Sequence, residues 1–243
     1  MEEIAPDLFT FRGLPVGRVY LIRDEDGLTI IDGSIPPAAR SLQRQLEGAG
    51  FQLRDIRRIL LTHAHPDHVG AIPFLLANSD AELICSELEA PVARGEMPIP
   101  SPSRAELRGL AKLARPPQTT LPNMKVSRTV ADGAWLPEIL GGMQVVSTPG
   151  HAPGHLSFWQ PERKILFAGD SLFNFRHMSL PWSFLTVDMA TAQQSVRKLA
   201  QLDPDMICFG HGRPLKEGAT GRLRALASSL PEVPASGKRV TPI

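Results

Sequence analysis

The run Thr62-His63-Ala64-His65-Pro66-Asp67-His68 sets four metal-ligating side chains within six residues. Imidazole and carboxylate are the donors that borderline divalent metals such as zinc prefer. Three histidines and an aspartate this close cannot all be core residues, because each would need its own partner against the cost of desolvation. The chain must therefore fold so that this segment lies at the edge of a core. Three downstream positions share its context: His151 after Thr148-Pro149-Gly150, Asp170 at the end of Ala168-Gly169-Asp170, and His211 within Gly210-His211-Gly212. Each follows a strand-like run. In layered α/β proteins the loops just past strand ends are where sites assemble, since they are free of core packing.

The chain has 243 residues and a formal net charge of +1, which gives no electrostatic reason to expect a nucleic-acid partner. Met1-Glu2-Glu3 is acidic and lacks the basic start and apolar stretch of a signal peptide. No apolar run approaches the ~20 residues of a spanning helix. Cys85 and Cys208 lie in apolar runs and read as buried thiols rather than a disulfide. These features predict a cytoplasmic protein acting on a small molecule, with no membrane partner.

Hydrophobic patterning predicts strands at Arg18–Arg23 and Leu28–Asp32 around the turn Asp24-Glu25-Asp26-Gly27, then a helix over Pro37–Glu47 closed by Gly48 and Gly50. A strand over Arg58–Thr62 delivers His63, and Asp67 and His68 open a helix running through Leu76. Ala81–Cys85 is the next strand. Residues 86–125 form a proline-hinged excursion with helical stretches at Ser86–Arg94 and Ser103–Ala114. Strands resume at Gln144–Ser147, Leu156–Trp159 and Lys164–Ala168. Thr186 or Asp188 caps a helix reaching Leu202, Met206–Phe209 is a strand, and a last helix spans Thr220–Leu230. The expected organisation is one domain over residues 1–230 and a loose tail over 231–243.

Together, His-x-His-x-Asp-His at 63–68, Thr-Pro-Gly-His at 148–151, Gly-Asp at 169–170 and Gly-His at 210–211 resemble the metallo-β-lactamase-fold hydrolases, over Ile4 to Gly212. The resemblance implies an α/β fold, a four-layer αββα sandwich. It implies one metal on His63, His65 and His151, a second on Asp67, His68 and His211, and Asp170 bridging them, because a carboxylate can offer one oxygen to each ion. Two divalent cations would share a water and lower its pKa. Zinc is the expected metal, although iron or manganese suits the same donors. Asp32, after Thr29-Ile30-Ile31, matches a family position; it reads either as support for the cluster loop or as a turn cap. His155 recurs in the family's turn and is expected to support that loop rather than bind metal.

Departures from the family narrow the activity. True β-lactamases of this fold lack the bridging carboxylate and are usually secreted, whereas Asp170 is present here. The glyoxalase II branch carries a sizeable C-terminal helical domain, and only 31 residues follow Gly212. Lactonases of the family place a tyrosine near the site, and the single tyrosine here, Tyr20, lies in an early strand. The expected pocket comes from the 86–125 excursion and the 171–187 loop, with Phe173, Phe175, Arg176, His177, Met178 and Trp182 as wall residues. The same apolar loop could instead pack on the body, or on a second subunit of a homodimer. The expectation is a dinuclear hydrolase of a small ester, thioester or lactone, with Asp67 and Asp170 as its catalytic carboxylates. The alternative is an iron-dependent, persulfide dioxygenase-like oxidoreductase on the same scaffold.

Overall fold

A computed structural model describes residues 1–102 and 119–231. Their strands form two sheets. The first is β1 (Glu2–Ala5), β2 (Leu8–Thr10), β3 (Tyr20–Asp24), β4 (Gly27–Ile31), β5 (Ile56–Leu60), β6 (Glu82–Ser86) and β7 (Arg128–Val130), neighbours in that order. Pairing is antiparallel up to β4 and parallel from β4 to β7. The second holds β8 (Trp135–Leu136), β9 (Met143–Ser147), β10 (Leu156–Gln160), β11 (Ile165–Asn174), β12 (Met178–Ser179) and β13 (Met206–Gly212). One edge of β11 carries β10 along its first residues and β12 along its last, while β13 runs parallel to the other edge.

Side chains alternate across each strand, and the alternation divides the core into three apolar clusters. Tyr20, Ile22, Ile31 and Leu60 face Val145, Phe158, Phe167 and Cys208 between the sheets. Leu21 and Ile30 point the other way, toward helices α1 (Ala39–Glu47) and α3 (Ile72–Ala77) through Leu42, Leu46, Ile72 and Leu75. On the second sheet Leu166, Ile207 and Phe209 meet α5 (Met189–Leu199) and α6 (Ala219–Ser229) through Val196, Leu199 and Leu223. Helix, sheet, sheet and helix are the four layers. No helix among the described residues is long and apolar enough to cross a membrane.

Several elements depart from the sequence expectation. β5 stops at Leu60, so His63 stands three residues beyond the strand end. The expected single helix after it is two, α2 (Pro66–Val69) and α3, separated at Gly70-Ala71. Gly70 packs so close to Pro36 that a Cβ there would overlap the ring. Within 86–94 only α4 (Ala90–Ala93) is helical: β6 extends to Ser86, and residues 87–89 form a turn. Asp170 and His211 lie inside strands rather than past their ends. β11 continues to Asn174 because β13 goes on pairing with it, with register shifts around Gly169. The first four residues of the expected 171–187 loop are therefore strand, and Met178–Ser179 form a further short one. The short strands β1, β2, β7 and β8 carry too little periodicity to be legible beforehand. The expected Ser103–Ala114 helix and the tail beyond Pro231 lie outside the described residues.

Candidate metal centre

The first group of site residues comes from the loop between β5 and α2. Asp32, directly after β4, adopts φ +61°, a left-handed conformation that an Asp tolerates better than most residues. From there its carboxylate accepts the Thr62 N–H (2.9 Å) and Thr62 Oγ1–H (2.8 Å) and lies 2.8 Å from His68 Nδ1. With Nδ1 donating to a carboxylate, His68 turns Nε2 toward the cluster. Thr62 Oγ1 likewise lies 3.0 Å from His63 Nδ1, leaving His63 Nε2 to face inward. Pro66 at the first helical position starts α2 at no hydrogen-bond cost, and the helix places Asp67 and His68 in the cluster, with the His68 ring 4.2 Å from that of His63.

The second group comes from the other sheet. His151 follows Gly150, which sits against the backbone of Ala192 in α5, and its Nε2 lies 3.0 Å from His65 Nδ1. Asp188 caps α5 by accepting the Thr191 N–H. Thr186 instead sits 3.4 Å from His151 Nδ1. Gly169 takes φ +52°, a conformation natural to glycine, and the irregularity re-aims Asp170. Asp170 Oδ1 is 3.3 Å from His68 Nε2, while Oδ2 is 3.4 Å from His151 Nε2 and 3.3 Å from His211 Nε2. Asp67 Oδ2 reaches His211 Nε2 at 3.1 Å. The seven residues converge as three overlapping groups: His63, His65 and His151; His63, His68 and Asp170; Asp67, His68 and His211.

His155 stands beside this set and does something else. The Asp170 N–H donates to its Nε2 (2.9 Å), and its Nδ1 lies 2.8 Å from Thr148 Oγ1. Nε2 must therefore be the bare acceptor and Nδ1 the protonated nitrogen. Burial pushes its pKa down to about 3, which keeps the ring neutral. Both nitrogens are occupied, so His155 holds the Asp170 backbone.

Charge is polarised across the cluster. Burial, then the neighbouring imidazoles, hold His63 and His151 well below the ordinary histidine range, and burial takes His65 down to about 4. Burial also acts to lower His211, but its contacts with Asp170 and Asp67 outweigh that and raise it to about 9. Burial alone would raise Asp67 and Asp170. The nearby His68 and His211 reverse the direction and hold both carboxyls ionised.

These residues fit a metal. His63 Nε2, His68 Nε2 and Asp170 Oδ1 are buried atoms without a hydrogen-bond partner, and all three belong to the same group of converging donors. Native proteins rarely leave buried polar atoms unpaired, and a divalent cation accepts donors of this kind.

The cluster floors a cleft of about 590 Å³. Phe173, Phe175 and Trp182 line it as expected, and Trp182 is sandwiched between Phe175 and Phe184 in two stacked contacts with centroids 5.6 Å apart. Met178 does not line it, because β12 turns its side chain into the core under α5 and α6. Arg176 and His177 lie on the exposed turn between β11 and β12 and are not lining residues either. Of the 86–125 excursion, Ile99–Pro102 and Thr119 contribute. The contribution of Gly13–Arg18 to the lining was not anticipated; within it Gly17 packs on the Asp67 carbonyl, where a Cβ would overlap. Arg18 brackets His211, donating its N–H to Gly210 O (2.7 Å) and its Nε–H to Gly212 O (2.6 Å). Tyr20 lies between the sheets and donates to Phe209 O (2.8 Å), so it does not line the cleft. Glu89 was also missed: its carboxylate accepts the N–H groups of Ala64 (2.8 Å) and Gly154 (2.9 Å). The Ser86-Glu87-Leu88-Glu89 spacing, a capping-box pattern, was the available signal.

Residues 12–211 match the family described as the metallo-beta-lactamase superfamily. The chain is 29% identical over 221 residues to the probable metallo-hydrolase YflN of Bacillus subtilis, covering 82% of each chain. It is 29% identical over 200 residues to a hydroxyacylglutathione hydrolase of Cereibacter sphaeroides, spanning 82% of its own length and 62% of that relative's. Among solved structures, a metallo-beta-lactamase family protein from Thermus thermophilus superposes with a TM-score of 0.68 at 25% identity, over 93% of this chain and 80% of that one.

Proposed function

The chain belongs to the metallo-β-lactamase superfamily and is a metallo-hydrolase by that kinship and by its clustered His and Asp side chains; from this premise we propose that it is a dinuclear hydrolase of small esters, thioesters or lactones. One observation carries the reading: seven donor residues converge at the floor of an apolar-walled cleft, and three of their buried atoms, His63 Nε2, His68 Nε2 and Asp170 Oδ1, make no hydrogen bond. His63, His65 and His151 would hold one ion and Asp67, His68 and His211 the other. Asp170, with an oxygen toward each group, would bridge them. When bound, such ions polarise a carbonyl oxygen and make hydroxide available near neutral pH.

The protein's own side chains orient and select. Asp32 and Thr62 set the ring orientations of His68 and His63, as outer carboxylates do at metal sites. Asp67 is 27% exposed against 3% for Asp170, so Asp67 is the carboxylate that a bound substrate can approach. Phe173, Phe175 and Trp182 exclude water from one side and suit an acyl or aryl portion. The thioester is included because a relative bears the name hydroxyacylglutathione hydrolase.

Metal analysis after careful repletion tests the reading, with two equivalents expected. Well under two equivalents overturns the dinuclear version. A panel of activated esters, thioesters and lactones, assayed with zinc, manganese and iron, then identifies the bond cleaved. Oxygen uptake with a persulfide substrate and a single bound iron would replace hydrolysis by the oxidoreductase alternative.

A further inference from the structure

We infer that Glu89 is a positioning residue for the first metal group, an inference that rests on the metal-centre reading above. Glutamate is almost never fully buried without a partner, yet Glu89 is only 1% exposed. Its partners are two backbone amides rather than a cation. Oε2 accepts the Ala64 N–H at 2.8 Å, and Oε1 accepts the Gly154 N–H at 2.9 Å. Burial raises its pKa, and these two bonds act against that rise.

What the two amides belong to gives the contact its meaning. Ala64 lies between His63 and His65, on the loop from the first sheet. Gly154 lies three residues after His151 and one before His155, on the loop from the second sheet. A single carboxylate thus clamps together the two loops that supply His63, His65 and His151. The 3.0 Å approach of His65 Nδ1 to His151 Nε2 depends on that relative placement. A backbone bond from Leu156 N–H to Thr62 O (2.9 Å) aligns the same segments one layer deeper, without touching the residues between the ligands.

The surroundings are shaped to this clamp. Ser86 Oγ accepts the Glu89 N–H at 3.1 Å and fixes the start of the turn into α4. Gly154 has no room for a side chain, since a Cβ there would come within 2.8 Å of Leu88 Cβ and 2.9 Å of Glu89 Cγ. Both amides point at acceptor oxygens, so the position needs a carboxylate. A glutamine has one acceptor, and its NH₂ would face a backbone N–H, donor against donor.

Glu89→Gln tests this, with melting temperature and metal affinity read on metal-loaded and on chelator-treated protein. The expected result is a lowered chelator-treated melting temperature, because the mismatched donors stay buried, together with a metal-induced rise smaller than that of wild type and first-group affinity weaker by about 10–100-fold in chelator competition, the range seen for outer partners of ligands. The cobalt(II) absorption spectrum should change shape, and activity should return at excess metal. Leu223→Ala, a change in the core far from the cluster, should lower both melting temperatures equally. Should Glu89→Gln fail to fold, Glu89→Asp, one methylene shorter and able to hold only one loop, is read in the same way. An equal metal-induced rise in wild type and variant overturns the inference while leaving the metal centre standing. A wild type that binds no metal and gains no stability from it overturns both.

Discussion

In the first half of the chain the candidate ligands stand beyond the end of a strand, whereas in the second half two of the three stand inside one. His63, His65, Asp67 and His68 follow β5 on a loop and a short helix. Asp170 and His211 belong to β11 and β13, which pair along their length. The two constructions are held by different means. Loop-borne histidines need side chains from elsewhere to orient them: Asp32 on His68, Thr62 on His63, and Glu89 on the Ala64 amide. His211 is placed by its ladder pairing with Phe173, while Asp170 lies in the irregular stretch of β11 with its N–H held by His155; both need room, which Gly169 and Gly210 provide. A Cβ on Gly210 would overlap Asp170 Oδ1 and lie 2.9 Å from His68 Cε1. The first half should therefore be vulnerable to loss of hydrogen-bonding side chains, and the second to gain of a methyl group.

The largest effect is expected where the halves meet. Asp170→Asn should lower activity by more than the ~10–100-fold typical of outer partners, because an amide offers one neutral oxygen where a carboxylate offers two charged ones. His177→Ala, on the exposed turn after β11, should alter substrate preference at most. Parallel kcat/KM and metal analyses check the pair. Equal activity and metal content in wild type and Asp170→Asn would put the bridge on the wrong residue.

Next comes the methyl test of the second half. Gly210→Ala should cost about 1–3 kcal/mol through overpacking and reduce metal content. Gly221→Ala in α6, where a Cβ meets nothing within 4 Å, should be neutral or stabilising by up to about 1 kcal/mol. Denaturant melts of the two variants measure the contrast, and similar stabilities would remove the steric argument.

The first half is tested by Asp32→Asn. An asparagine NH₂ directed at His68 Nδ1 would make that nitrogen the acceptor and move the ring proton to Nε2, the atom facing the cluster. Metal affinity should fall by about 10–100-fold with the fold intact. Isothermal titration or chelator competition is the measurement, and wild-type affinity would mean that the tautomer is set elsewhere.

The smallest effect sharpens the comparison below the ligand layer, where the halves should not differ. Burial pushes the thiol of Cys85, in the first sheet, up to about 12, and raises that of Cys208, in the second, as well. Thiolate is the reactive form, so at pH 8 neither should react with a thiol reagent in the native protein and both should react after unfolding. Rapid native labelling of one would show that its sheet opens.

Much of the centre was legible before any coordinates. The seven candidate ligands stand out because side chains able to bind metal are chemically distinctive and cluster around glycine and proline turns, as in Thr148-Pro149-Gly150-His151. β3, β4, β10 and β13 were equally readable, since strands buried on both faces show as short apolar runs bounded by turn residues. The resemblance supplied the layered architecture.

Only the tertiary structure decided three things. It placed Asp170 and His211 within strands, because the β11–β13 pairing that extends both is a contact between segments distant in sequence. It removed Met178, Arg176 and His177 from the cleft wall, because a two-residue strand, too short for any periodicity, turns the chain there. It brought Gly13–Arg18 into the same cleft as the aromatic residues and Glu89 between the two loops that carry His63, His65 and His151. Ligand chemistry is written in residue type and can be read locally. Orientation depends on backbone amides and carbonyls, which every residue carries alike, so a sequence cannot show which of them a buried carboxylate will find.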